Sequence, residues 1–174
     1  MSNSKPSIAT PTVQRRLICM IYETLLLLAV ELAAVSVFLL LTQNHQGAPY
    51  EHALQFTLFL VTAAYFIHFW TDSGHTLAMK TWRIKLVKPG YARLPIKVAA
   101  ARFLLAWGWF LPALAVCYAL GLHKGQMAIA IGIGMAAWAC TAFLDKDRQF
   151  LHDRLLGTRL ISLPKAVKAA KKSA

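Results

Sequence analysis

Residues 17–41 read LICMIYETLLLLAVELAAVSVFLLL, and Glu23 and Glu31 are the only charges among them. A bilayer core about 30 Å thick needs roughly 20 mostly apolar residues in a helix rising about 1.5 Å per residue. The stretch therefore predicts a spanning helix. Arg15 and Arg16 precede it, as basic residues precede a signal peptide. It is nevertheless longer than an h-region of about 7–15 residues, and its two glutamates interrupt it, so it reads as a retained span.

Working outward, residues 53–70, 99–120 and 127–144 have the same character. The whole 174-residue chain is 57% apolar and 15% charged, with mean hydropathy +0.50. Soluble domains hold about 45–50% apolar and about 25% charged residues. The expected fold class is an all-α membrane protein: a four-helix transmembrane bundle with short amphipathic, β-like cytoplasmic segments. Residues 1–14 form a flexible cytoplasmic N-terminus, residues 15–163 the transmembrane domain and residues 164–174 a basic cytoplasmic tail.

Net charge is +12, from 19 Lys+Arg against 7 Asp+Glu. Nucleic acid and anionic membranes both attract such a chain. Here the positive charges lie in the gaps between apolar runs, which is a topology signal and speaks against nucleic acid. The connection over residues 43–52 holds no Lys or Arg, and that over 121–126 holds only Lys124. All other basic residues fall before span one, between spans two and three and at the start of span three, or after span four. The positive-inside rule then puts both termini and the central connection in the cytoplasm, as in a bacterial inner membrane. Lys165, Lys168, Lys171 and Lys172 recur at helical spacing, where an anionic leaflet is worth about 1 kcal/mol per charge.

Pro112 is expected to kink span three. Ala128, Gly132, Ala136 and Cys140 form a small-residue stripe on span four, which permits close helix approach and suits a homo-oligomer. Cys19, Cys117 and Cys140 all lie in apolar runs without a CxxC pair and read as packing residues.

Residues 82–87, WRIKLV, alternate apolar and basic and are closed by Pro89-Gly90, which predicts a short strand. Residues 148–163 can be laid over the central connection at an offset of 74. Leu77 then meets Leu151, Lys80 meets Arg154, Lys85 meets Arg159, Leu86 meets Leu160 and Val87 meets Ile161. Two helix-helix-strand units in parallel orientation follow as a hypothesis, with the two strands pairing into a small ladder.

Intramembrane charges mark the candidate sites. An acidic group at the depth of Glu31 costs at least about 2.5 kcal/mol on insertion scales unless it protonates or pairs, so a functional role is the default. Glu23 lies eight residues away, about 12 Å along the axis and about 80° around it. Arg102 is a candidate structural partner for Glu23, Arg16 for Asp153, and Lys80 is a further structural ion-pair candidate. His68 reads either as an interfacial histidine or as a proton relay to Glu31. His45, Glu51, His52 and His123 share one side of the membrane but lack zinc spacing, so no metal is expected. No cofactor is expected either. GxSxG, HExxH and P-loop motifs are absent, and no enzymatic activity is expected.

These residues also carry a resemblance. Arg16 and Glu23 stand seven apart; Gly74, Thr76 and Lys80 precede the predicted strand; and Arg148, Leu151, His152, Asp153, Gly157 and Thr158 spell R-x-x-L-H-D-x-x-x-G-T. The chain resembles the RDD family of small multi-pass membrane proteins, named for an Arg and two Asp. Glu23 replaces the usual first Asp, and Ala78 stands where Gly is usual. The resemblance implies that Arg16, Glu23, Arg148 and Asp153 are the family-motif charges, and it implies movement of monovalent cations or small solutes. The leading expectation is transport coupled to protons, with Glu31 as the titrating carboxylate. The competing one is a membrane scaffold that binds a partner protein through its basic cytoplasmic face.

Overall fold

The structure, a computed structural model, describes residues 10–45, 47–109, 111–141 and 149–164. Helix α1 spans Val13–Leu41 and α2 spans Ala48–Asp72. Both outrun the apolar stretches that predict them, because a helix continues past the hydrophobic limit until a cap stops it. Thr12 caps α1 by accepting from the Arg15 amide, and Gln43 and Asn44 turn the chain in the left-handed region at φ 51° and 54°.

A small polar layer follows. Helix α3, Leu77–Thr81, is capped by Thr76, and strand β1 is Ile84–Val87. The third apolar stretch is α4, Ile96–Ala106, then a 3-10 turn at Trp107–Trp109, then α5, Leu111–Ala119. The interruption lies one turn before Pro112 rather than at it. The proline has no N–H for the carbonyl at residue 108, its ring crowds that carbonyl, and the next helix restarts with Pro112 in its first turn, where no donor is needed. Helix α6 is Lys124–Cys140, α7 is Leu151–Leu156 and strand β2 is Arg159–Ser162.

Among the described residues three helices are long and apolar enough to cross a membrane: Val13–Leu41, Ala48–Asp72 and Ile96–Ala119. The fourth predicted span begins within α6, whose apolar part is the shorter Gly125–Ala137, and the end of that prediction lies outside the described residues. The predicted basic tail beyond residue 164 and Arg148 lie outside them as well.

The two strands pair antiparallel, with Leu86 opposite Leu160, Lys85 opposite Ile161 and Val87 opposite Arg159. Leu86 and Leu160 are themselves 74 apart, so the sequence repeat is also the two-fold symmetry of the ladder, centred on that pair. The likeness extends further. Helices α3 and α7 start at equivalent residues, and Arg83 (φ 52°) and Gly157 (φ 64°) occupy the same left-handed position between helix and strand. The amides of Leu86 and Leu160 both point away from the ladder. One donates to the Gly74 carbonyl at 2.7 Å and the other to Gln149 Oε1 at 3.1 Å.

The buried core sits in this layer and against the adjoining ends of α1, α2 and α4. It comprises Ile84, Leu86, Leu160, Ala78 and Met79 with Cys19, Trp70, Ala99 and Phe103. Burying each large aliphatic side chain is worth about 1.5–3 kcal/mol where water is the alternative. The helices beyond the layer keep their leucines outward, Leu25 at 62% and Leu40 at 79% exposure, as suits a surface whose solvent is lipid.

Gly74 makes the closest approach. Its φ is +76°, and a Cβ there would lie 2.7 Å from the Leu86 carbonyl oxygen. Gly74→Ala is expected to cost about 1–3 kcal/mol, read as a fall in melting temperature of the purified protein in nanodiscs. A melting point equal to that of the native chain would show that the strand does not need this close approach.

Candidate functional site

Glu23 is 8% exposed although it lies within α1. Tyr65 Oη, from α2, donates to its Oε1 at 2.7 Å, and Thr76 Oγ1 donates to its Oε2. The Thr76 oxygen simultaneously accepts from the Met79 amide at 3.2 Å as the cap of α3. One carboxylate thus ties α1 to α2 and to the polar layer.

The sequence pairs Arg102 with Glu23 and Arg16 with Asp153, and the structure corrects both. Arg102 Nε lies 2.7 Å from Asp153 Oδ1 and its Nη2 lies 3.4 Å from Oδ2. The guanidinium stacks over Trp70 at 4.2 Å, and Thr158 Oγ1 adds a bond to Asp153 Oδ1 at 2.9 Å. The layer folds α7 back onto α4, so Asp153 reaches the cation on α4 rather than the one on α1. Arg16 is 2% exposed, with its guanidinium carbon 4.8 Å from the Phe150 ring centre. Lys80 is exposed on α3 and takes no part in the pair.

Asp153 is fully buried, which by itself raises a carboxyl pKa. The charge of Arg102, with His152 and the bonds from Arg102 and Thr158, overcomes this and holds it below the usual carboxylate range. Burial pushes His152 down to about 4; neighbouring Asp153 raises it, and Arg102 adds to the lowering. His152 is therefore neutral at pH 7, with Nε2 3.5 Å from Asp153.

Above this cluster lies a cavity of about 440 Å³ between α1, α2 and α4, floored by the polar layer. Arg16, Glu23, Arg102 and His152 line its polar end, and Phe66 and Trp107 belong to its apolar wall. Thr62 also lines it, and its hydroxyl donates to Glu31 Oε1 at 3.0 Å. Glu31 is half-buried. His68 is exposed, six residues beyond Thr62 and so about 240° around α2, and the structure does not bring it to Glu31. Among the described residues no group of three His, Cys, Asp or Glu is placed to hold a metal.

Three contributors escape a linear reading. Tyr65 and Thr62 are isolated polar residues in an apolar helix, and only helix pairing aims them at the two glutamates. Arg15 donates to Ser162 Oγ at 2.6 Å and to the carbonyl of Trp82, clamping the end of the ladder to α1. Its neighbourhood to Arg16 hides that role.

Long apolar helices, a polar layer at one end and buried charges at their junction define an integral membrane protein. A family model described as the RDD family matches residues 10–157, and the chain belongs to that family. No curated protein and no solved structure matches it.

Arg102→Met strands Asp153 without its cation and is expected to cost about 3–5 kcal/mol, whereas adding Asp153→Leu restores part of that loss. Additive losses in the melting temperatures of the two single variants and the double would count against the coupling. His152 contributes a pH dependence. Its native pKa is depressed, so the unfolded chain binds the extra proton first. Stability should therefore fall as pH drops from about 6.5 towards 4 and level off below. His152→Gln should flatten the melting temperature across that window; an unchanged slope would place its origin elsewhere.

Proposed function

We propose that this protein moves a monovalent cation or small solute across the bacterial inner membrane in exchange for protons. Glu31 is the titrating carboxylate, and Glu23 and Arg16 lie nearer the cytoplasmic mouth. The observation that carries this reading is the cavity, because Glu23 lines it and so does Thr62, whose hydroxyl donates to Glu31. A scaffold needs no such space within its bundle. A transporter needs it, and intramembrane carboxylates along a path are the usual proton relays.

In this reading four spans cross the membrane, with both termini and the polar layer in the cytoplasm. Arg83, Arg93, Lys97, Arg154 and Arg159 are exposed in or beside that layer, within reach of anionic lipid headgroups. Ala128, Gly132 and Ala136 are exposed on α6 and are therefore available to a second copy, which supports a homo-oligomer. His68 has no part in the relay.

The test is ion-driven proton flux in proteoliposomes across several monovalent cations. The native chain should show flux, and Glu31→Gln should abolish it while leaving the melting temperature of the polar layer in place. Absence of flux from folded native protein with every cation tried would sink the antiport reading.

A further inference from the structure

We propose that the bond between Tyr65 and Glu23 is a proton-operated latch: protonation of Glu23 releases Tyr65 and parts α1 from α2 at the polar end of the cavity. This deepens the transport reading by naming the contact through which a proton governs access to that space.

A count of hydrogens is the first ground. Among the described residues Glu23 has two contacts. Its Oε1 receives the Tyr65 hydroxyl at 2.7 Å, and its Oε2 receives the Thr76 hydroxyl. Each contact between two oxygens holds one hydrogen. The carboxylate form matches this, because Tyr65 and Thr76 supply one hydrogen each. The protonated form brings a third hydrogen to the same two contacts, so one hydroxyl is left with nowhere to donate. Both contacts also lose the ionised acceptor that makes such bonds short and strong.

Burial decides which partner gives way. Thr76 is 1% exposed, and its oxygen also accepts from the Met79 amide at 3.2 Å as the cap of α3. It cannot swing aside without uncapping that helix. Tyr65 is half-buried, and among the described residues its hydroxyl makes no other bond. The release therefore falls on Tyr65.

The third ground is what the latch joins. Among the described residues two side-chain bonds tie α1 to α2, Tyr65 to Glu23 and Thr62 to Glu31. Glu31 lies about 12 Å further along α1. Losing the first tie frees the helices beside the polar layer while the second holds them deeper in the bilayer. In lipid, apolar surface adds little preference for the paired helices, so a polar tie has leverage there.

The titratable and charged groups around Glu23 are Arg16 and Cys19 on α1, Tyr65 on α2, Arg102 on α4, and His152 with Asp153 on α7. Lys80 of α3 is exposed. Among the described residues no cation lies within ion-pair distance of Glu23, so no salt bridge stands in for the proton.

Spin labels at Ile21→Cys and His68→Cys, both exposed positions, report the distance between α1 and α2 by pulsed electron resonance. The measurement uses the full chain in nanodiscs, with Cys19→Ala, Cys117→Ala and Cys140→Ala in the background. Lowering the pH from about 8.5 to about 4.5 is expected to replace a short distance with a longer one. Glu23→Gln and Tyr65→Phe should each show the longer distance at both pH values. Tyr65→Phe leaves the carboxyl in place, so the test stands if Glu23→Gln fails to fold. Thr76→Val checks the hydrogen count. With that contact gone the proton settles on Oε2, Tyr65 keeps Oε1, and the distance should stay short throughout. An unchanged distance in the native background, a pH response surviving in Glu23→Gln, or one of native size in Thr76→Val would each overturn the proposal. Distances need no flux, so the two readings fail separately. A pH-linked separation without transport leaves the latch standing, and flux with fixed helices leaves a transporter without it.

Discussion

Everything at the polar end of this molecule depends on keeping Arg102 and Asp153 together out of water. Burying either charge alone costs several kcal/mol, and their attraction offsets that only if geometry and remaining hydrogen bonds are good. Here a two-point contact, a third bond from Thr158 and the face of Trp70 meet those needs. The consequence is positional. Since Asp153 belongs to α7 and Arg102 to α4, the short helix is pinned to the third apolar stretch, and the strand that follows it reaches β1.

The two halves of the chain solve the same problem differently. Each joins an apolar helix to a short helix, a left-handed residue and a strand, and the strands meet about Leu86 and Leu160. In the first half the tie is a carboxylate on α1 bonded to the cap of α3; in the second it is a cation on α4 bonded to a carboxylate within α7. The asymmetry matters for chemistry. The second tie is charge-neutral and structural, whereas the first leaves a carboxylate among hydroxyls at the cavity wall.

Much of this was legible in the chain. The 25-residue run at 17–41 demands a membrane helix, the alternation at 82–87 demands a strand, and the offset of 74 anticipates the ladder down to its central leucine pair. Glu23 and Asp153 were visible as important because a carboxylate in or beside an apolar helix is expensive. Their partners were not visible. Arg16 and Arg102 stand at comparable heights on different helices, and sequence spacing does not tell which of them α7 meets. Tyr65 and Thr62 lacked any signal, since one hydroxyl in an apolar helix looks the same whether it faces lipid or a carboxylate.

The sequence by itself determined that this is a membrane protein of the RDD family, where its apolar helices lie and which segments pair. Those are properties of hydrophobic length, period and motif, each written within a few dozen consecutive residues. Only the tertiary structure decided which charge meets which, that His68 turns away from Glu31, and that a cavity joins Glu23 to Thr62. Those outcomes depend on the rotation of each helix about its axis. In lipid that rotation is set by packing and hydrogen bonds between helices, because apolar surface alone does not distinguish one face from another.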